Sequence, residues 1–296
     1  MKVFELLLEG GKATEKLGTV RARKEDFDAA LAFVSKYSDI GVETLRGQLL
    51  GSGRLTAAGK QEDSGDIDNA IAEGTVNRDT LIKRMTKATG AAPHVTGGST
   101  YSFAVPTAKG RKVQVDLMLV PDVKWALYSH HSAEGSKHKS GVRNELLHST
   151  LKFSMVPGED VRLKDANGND IARASRAYKL DKGVERIFKI APERKDGKGR
   201  VKGVVHATPD EVRAVLGKEG RHDKFNPETD TIRDPDKFAE LLFGKGTKAQ
   251  STMSTEQLIA LIKAKRAKDA DKIFADAVKG IKRLKFPVPD ELKQYA

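Results

Sequence analysis

The run Lys112–Val120 (KVQVDLMLV) constrains the fold more than any other stretch, because apolar residues alternate along it and one acid stands in the middle. Strand alternation puts Val113, Val115, Leu117 and Leu119 on one face and leaves Gln114, Asp116 and Met118 on the other. An unpaired carboxylate at mid-strand is costly, so Asp116 must point away from the apolar side and find a partner there. Tyr101–Val105 is a second β-prone run, and the Pro106-Thr107-Ala108-Lys109-Gly110-Arg111 connection makes an antiparallel hairpin the economical reading.

Upstream, Lys24-Glu25-Asp26-Phe27 opens a run with Phe27, Ala30, Leu31, Phe33 and Val34 at helical spacing and acids in the first turn, which predicts a helix over 24–37. Leu45–Leu50 reads as a short strand ending in a tight turn at Gly51-Ser52-Gly53. Asn77 can cap a helix carrying Leu81, Ile82 and Met85 and stopping at Gly90.

Asp66-Ile67-Asp68 lies between the glycine-serine turn and the hairpin, on a short β-prone segment that puts both carboxylates on one face. Paired carboxylates repel unless a cation sits between them. Oxygen-only ligation suits Mg²⁺ or Mn²⁺, and a third carboxylate, Asp116, completes a site for two ions, usually about 3.5–4 Å apart, for in-line displacement at phosphorus. The Gly51-Ser52 turn adds backbone room for a triphosphate, exposed N–H groups and the Ser52 hydroxyl.

Gly51-Ser52-Gly53-Arg54, Ser64-Gly65-Asp66-Ile67-Asp68 and Val115-Asp116-Leu117 together resemble the signature of DNA polymerase β-like nucleotidyltransferases. The resemblance implies that Asp66, Asp68 and Asp116 are catalytic and hold the ion that activates an attacking hydroxyl. Asp66 and Asp68 would also hold the ion that escorts the triphosphate, and Gly51 and Ser52 would grip its phosphates. Compact members read Ser-Asp-x-Asp, whereas Gly65 intervenes here, so Ser64 receives no role; the glycine-rich 53–64 segment also leaves the helix after the turn short. A Ser/Lys-rich loop, Ser129–Lys139, followed by an Arg-bearing helix resembles phage-encoded members, and Lys137, Lys139 and Arg143 are the candidate nucleotide-binding cations. His130, His131 and His138 read as exposed loop residues, since no fourth ligand is spaced with them.

Past residue 155 the texture changes. Val161–Lys164 and Ile171–Arg176 flank an Asn-Gly turn, whose Asp165, Asn167, Asn169 and Asp170 read as a hairpin rather than a calcium loop. Ile187–Ile190 and Val201–Val205 flank the basic loop Arg194–Arg200, Thr208-Pro209 starts a helix, and 234–243, 254–266 and 267–284 are helical runs. Tyr178, Phe188 and Phe225 read as packing aromatics. The expected class is α+β: a small mixed-sheet, palm-like nucleotidyltransferase domain at 1–155 backed by helices, and a basic region of hairpins and helices at 156–296.

Residues 1–155 hold 22 Lys and Arg against 18 Asp and Glu, and the remainder hold 31 against 23, so +8 of the net +12 lies in the second part. That excess favours a polyanionic partner, and RNA, including a tRNA 3′ end, is the expected acceptor of a nucleotide taken from a nucleoside triphosphate. The rival readings are transfer to a small molecule or a protein side chain, and a non-catalytic nucleic-acid-binding module. The absence of cysteine excludes disulfide and thiolate chemistry and fits a reducing cytoplasm, the host's if the chain is phage-encoded. No apolar stretch is long enough for a membrane helix, and MKVFELLLEGG lacks the features of a signal peptide.

Overall fold

The computed structural model describes residues 12–154, 162–164, 170–179, 182–190, 205–206 and 231–296. It is a mixed α+β protein with a small mixed sheet backed by helices. The sheet has the order β3-β6-β5-β4, from β3 (Ile67–Ala72), β4 (His94–Thr96), β5 (Thr100–Pro106) and β6 (Lys112–Val120). β5 and β6 form the expected antiparallel hairpin, while β3 joins β6 in parallel.

One face of the sheet presents Ile67, Ile71, Phe103, Val105, Val113, Val115, Leu117 and Leu119 to a core closed by two helices. These are α1 (Lys24–Ser38), which contributes Phe27, Ala30, Leu31 and Val34, and α4 (Arg78–Thr89), which contributes Leu81 and Met85. α4 begins where the sequence places it, with the Asn77 side chain accepting from the Thr80 N–H, and ends at left-handed Gly90. The buried Asp26 in the first turn of α1 accepts from Thr107 Oγ1 at 2.8 Å and Arg111 Nη2 at 3.0 Å, which ties the β5–β6 connection to the helix. On the opposite face Leu50, Ala70, Met118, Val120 and Ala126 form a smaller cluster beneath α5 (Val123–Ser129).

The strand expected over Leu45–Leu50 is not formed. Val42–Gly47 is a helix, α2, and only Leu49 and Leu50 run extended, with the Leu50 N–H donating to the Asp68 carbonyl at 3.0 Å. Leu45 and Leu49 are four residues apart, a helical separation, and both are buried against the α1 core. Gly51 then opens α3 (Gly51–Ala57), the short helix anticipated after the turn. Two-residue strands β1 (Ala22–Arg23) and β2 (Asp63–Ser64) pair beside it.

The cores divide before residue 155. α5 and α6 (Ser140–Phe153) bury Trp125, Tyr128, Val142, Leu146, Leu147 and Leu151 together with α7 (Pro235–Phe243), α8 (Thr255–Lys265) and α9 (Ala270–Arg283). The expected boundary at 155/156 therefore cuts through one helical core, because the apolar face of α6 finds its partners beyond residue 230. α7 and α8 begin on Asp234 and Ser254, whose side chains cap the first turns; α9 starts three residues later than the apolar spacing suggests. A second sheet, β10-β9-β8-β7, is antiparallel throughout and comprises β7 (Arg162–Lys164), β8 (Asp170–Lys179), β9 (Gly183–Ile190) and β10 (Val205–His206). The Asn-Gly turn, the Arg194–Arg200 loop, the Thr208 helix start and Phe225 lie outside the described residues, as do the side chains of Tyr178 and Phe188. Among the described residues no helix is long and apolar enough to cross a membrane.

Candidate metal centre

Parallel pairing of β3 with β6 sets Asp68 directly opposite Asp116 on the face away from the main core. Asp66, just before β3, turns to the same side while Ile67 enters the core. Each of the three carboxylates offers one oxygen, and these atoms all lie within 4.8 Å of one another. Among the described residues they form the one cluster of acid, histidine or cysteine side chains able to hold a metal ion.

The electrostatics fit that role. Asp68 is pushed well above the usual carboxylate range, first by burial and then by the charges of Asp66 and Asp116. Burial and Asp66 raise Asp116 to about 7, against opposing hydrogen bonds from Ser102 and Gln114. Both side chains keep a partly accessible edge, as a ligand oxygen facing an incoming ion requires, although protein atoms surround them densely. Like charges this close cost free energy that a divalent cation recovers. Three carboxylates and no sulfur or nitrogen donors form a hard oxygen ligand set.

A supporting layer holds Asp116. Gln114, two residues earlier on the same face, donates from Nε2 to Asp116 Oδ1 at 3.0 Å. Its Oε1 accepts from both the backbone N–H and the Oγ1 of Thr14, each at 3.1 Å, so the amide is fixed with its donor toward the carboxylate. Ser102 pairs with Asp116 across the hairpin and adds its hydroxyl. Alternation along β6 placed Gln114 beside Asp116 from sequence alone. Ser102 needed the strand register, and Thr14 comes from a distant segment with no motif.

Gly51 adjoins the cluster: a Cβ there would stand 3.5 Å from Asp68 Oδ2, and its φ of +54° is one that other residues rarely adopt. The neighbouring Ser52 Oγ lies 2.8 Å from Ser64 Oγ, which gives Ser64 a structural role the sequence did not suggest. The Gly51 N–H donates to the His130 carbonyl at 3.1 Å, so the 130–134 loop packs against the start of α3. Arg54 Nη2 reaches His131 Nδ1 at 3.3 Å and the Ser132 carbonyl at 3.4 Å. Burial, then Arg54 and Arg143, lower His131 to about 4, so its ring is neutral at pH 7 and Nδ1 can accept from Arg54. The three loop histidines are half-buried rather than exposed as expected, because the loop folds down onto α3 and α8.

The remaining candidate cations have other partners in the structure. Arg143 is 1% exposed and donates to the carbonyls of Thr252, Ser129 and Tyr128 at 2.7, 3.2 and 2.9 Å, with its guanidinium over the Tyr128 ring. The candidate nucleotide-binding Arg143 is thus a buried strut of the helical core, its donors directed to backbone carbonyls. Lys139 Nζ sits 5.6 Å from the Phe286 ring centroid, and Lys137 lines a groove with Glu256, Asp290 and Lys293. The structure therefore brings together Asp66, Asp68, Asp116, Gly51 and Ser52, and directs Lys137 and Lys139 toward the C-terminal segment.

No protein-family model matches the chain, and no curated protein matches it in sequence.

Proposed function

We propose that the protein is a metal-dependent nucleotidyltransferase with a palm-like fold of the DNA polymerase β-like kind. In this reading it transfers a nucleoside monophosphate from a nucleoside triphosphate to an acceptor hydroxyl and releases pyrophosphate. The observation that carries it is the convergence of Asp66, Asp68 and Asp116 within 4.8 Å, with the Gly51 backbone packed against Asp68.

Mg²⁺ or Mn²⁺, two ions in the full site, would be held by all three carboxylates on the acceptor side and by Asp66 and Asp68 on the triphosphate side. When bound they supply positive charge to the phosphates and lower the proton affinity of the attacking hydroxyl. Gly51 leaves room for a phosphate beside Asp68 that any side chain would occupy. The Ser52 hydroxyl can donate to a phosphate oxygen while accepting from Ser64. Gln114 and Ser102 hold Asp116 in place against burial, which favours the orientation an in-line attack needs. The acceptor hydroxyl gives up its proton to water as its oxygen bonds to the α-phosphorus, the bond from that phosphorus to the bridging oxygen of the β-phosphate breaks, and pyrophosphate leaves with its electron pair.

The acceptor proposed is RNA, on the strength of the positive balance of residues 156–296. A binding module without catalysis has no use for three crowded carboxylates, two of them with strongly disfavoured charges. The test incubates the protein with each labelled nucleoside triphosphate, Mg²⁺ or Mn²⁺ and total RNA, beside an Asp66→Ala/Asp68→Ala variant. Label in RNA that is lost in the variant supports the reading. Label on the protein itself moves the acceptor to a protein side chain, and no metal-dependent transfer from any triphosphate overturns it.

A further inference from the structure

Half of the chain's net charge is concentrated in one short stretch. From Lys263 to Lys285 nine Lys and Arg stand against three Asp, a net of +6 out of +12. α9 explains how this charge is displayed. Its Ile273, Phe274, Ala277, Val278 and Ile281 are buried in the helical core. At about 100° per residue, Lys272, Lys279 and Lys282, with Lys268 in the turn just before, fall within roughly 80° of the opposite face. All four are exposed.

The three acids of the stretch are already engaged. Asp269 pairs with Arg266 at 3.1 Å, Asp271 accepts from the Tyr295 hydroxyl at 2.6 Å, and Asp276 accepts from Lys152 at 2.6 Å and Ser149 at 3.0 Å. Among the described residues none of the four lysines has an ion-pair partner. Mutual repulsion in such a row is relieved only by counterions or by a polyanion. The apolar side of α9 is consumed by the core, so the helix cannot enter a lipid surface as an interfacial amphipathic helix does. From Lys268 to Lys282 the row runs ~21 Å at the helical rise of ~1.5 Å per residue, about six nucleotides of a strand with ~3.4 Å spacing.

We propose that Lys268, Lys272, Lys279 and Lys282 form a docking surface for the phosphodiester backbone of a nucleic-acid strand. Lysine acts here as a mobile point charge, so the surface binds without reading sequence. The inference does not depend on the metal centre.

The test measures fluorescence anisotropy of labelled single-stranded RNA, single-stranded DNA and duplex RNA of about 20 nucleotides, from about 50 to 200 mM NaCl. The full-length protein is used, in EDTA and without triphosphate, so the outcome is separate from that of the transferase assay. The four lysines are changed to Gln together, and Lys36, Lys83, Lys87 and Lys112, exposed on the sheet domain, are changed to Gln as a charge-matched control. With four contacts at about 0.7 each, the slope of log K against log salt should shrink by about 3 in the first variant. Its affinity should fall at least tenfold while the control keeps the slope within about one unit. Single Lys272→Gln and Lys279→Gln variants should each remove about 0.7 from the slope, a readout that survives if the fourfold variant is poorly folded. Equal losses in both fourfold variants, unchanged binding, or binding to phosphatidylserine vesicles and to no nucleic acid would each overturn the proposal.

Discussion

Asp68 and Asp116 face each other across the parallel β3–β6 pair, and the same register that aligns their Cα atoms crowds two disfavoured charges onto one face. The pair stores electrostatic strain that a cation can release.

That strain sets a pH dependence. Asp116 is raised to about 7 in the fold from an ordinary 3.8, so between those values the folded state holds more protons than the unfolded one. Metal-free stability should therefore fall as pH rises from about 4 to 7, by on the order of 1 kcal/mol after allowance for solvent access. Thermal melts in EDTA across this range should show the decline, and added Mn²⁺ should reverse it, most strongly at pH 7 and above where no proton competes. Asp68→Asn should melt higher than the parent in EDTA and lose the response to Mn²⁺.

The sequence made the centre legible because strand alternation and carboxylate chemistry are local. The 112–120 pattern placed Asp116 and Gln114 on one face, and Asp66 and Asp68 flank a core isoleucine, as found. The Leu45–Leu50 stretch departs from the expected strand because a short apolar run with residues four apart satisfies a helix as well as a strand. A first-turn arginine after a basic loop gives no local sign of burial, yet Arg143 is buried. Its burial depends on carbonyls from Tyr128, Ser129 and Thr252, which local pattern cannot bring together.

Gln114→Leu should remove the donor to Asp116 and strand Thr14. A loss of about 1–3 kcal/mol in stability is expected from the unsatisfied buried groups. Mn²⁺ affinity, read by titration calorimetry, should weaken about 10- to 100-fold. Gln114→Glu cannot donate to Asp116 and should not restore affinity, even though Thr14 can still bond to it.

Gly51→Ala should cost about 1 kcal/mol through the positive φ, a change visible in denaturant melts. Its larger effect should fall on triphosphate binding, because the new Cβ would stand 3.5 Å from Asp68 Oδ2 in the space a phosphate would use. Metal affinity without nucleotide should change little.

Arg143→Lys should destabilise the protein by about 2–4 kcal/mol, since one ammonium cannot replace three differently directed N–H donors. At a temperature where the variant stays folded, the apparent affinity for triphosphate should match the parent. A selective loss of triphosphate affinity with unchanged melting would place the guanidinium on the substrate instead.

In the proposed site three acids from separate stretches share bound cations beside the Gly51 backbone. Anomalous diffraction from crystals grown with Mn²⁺ and a non-hydrolysable nucleoside triphosphate tests it most directly. Two peaks about 3.5–4 Å apart are predicted. Both should be ligated by Asp66 and Asp68, one also by Asp116, and the triphosphate should lie against Gly51 and Ser52. Density for Mn²⁺ elsewhere, or an Asp116 carboxylate turned away from any bound ion, would rule out this metal centre.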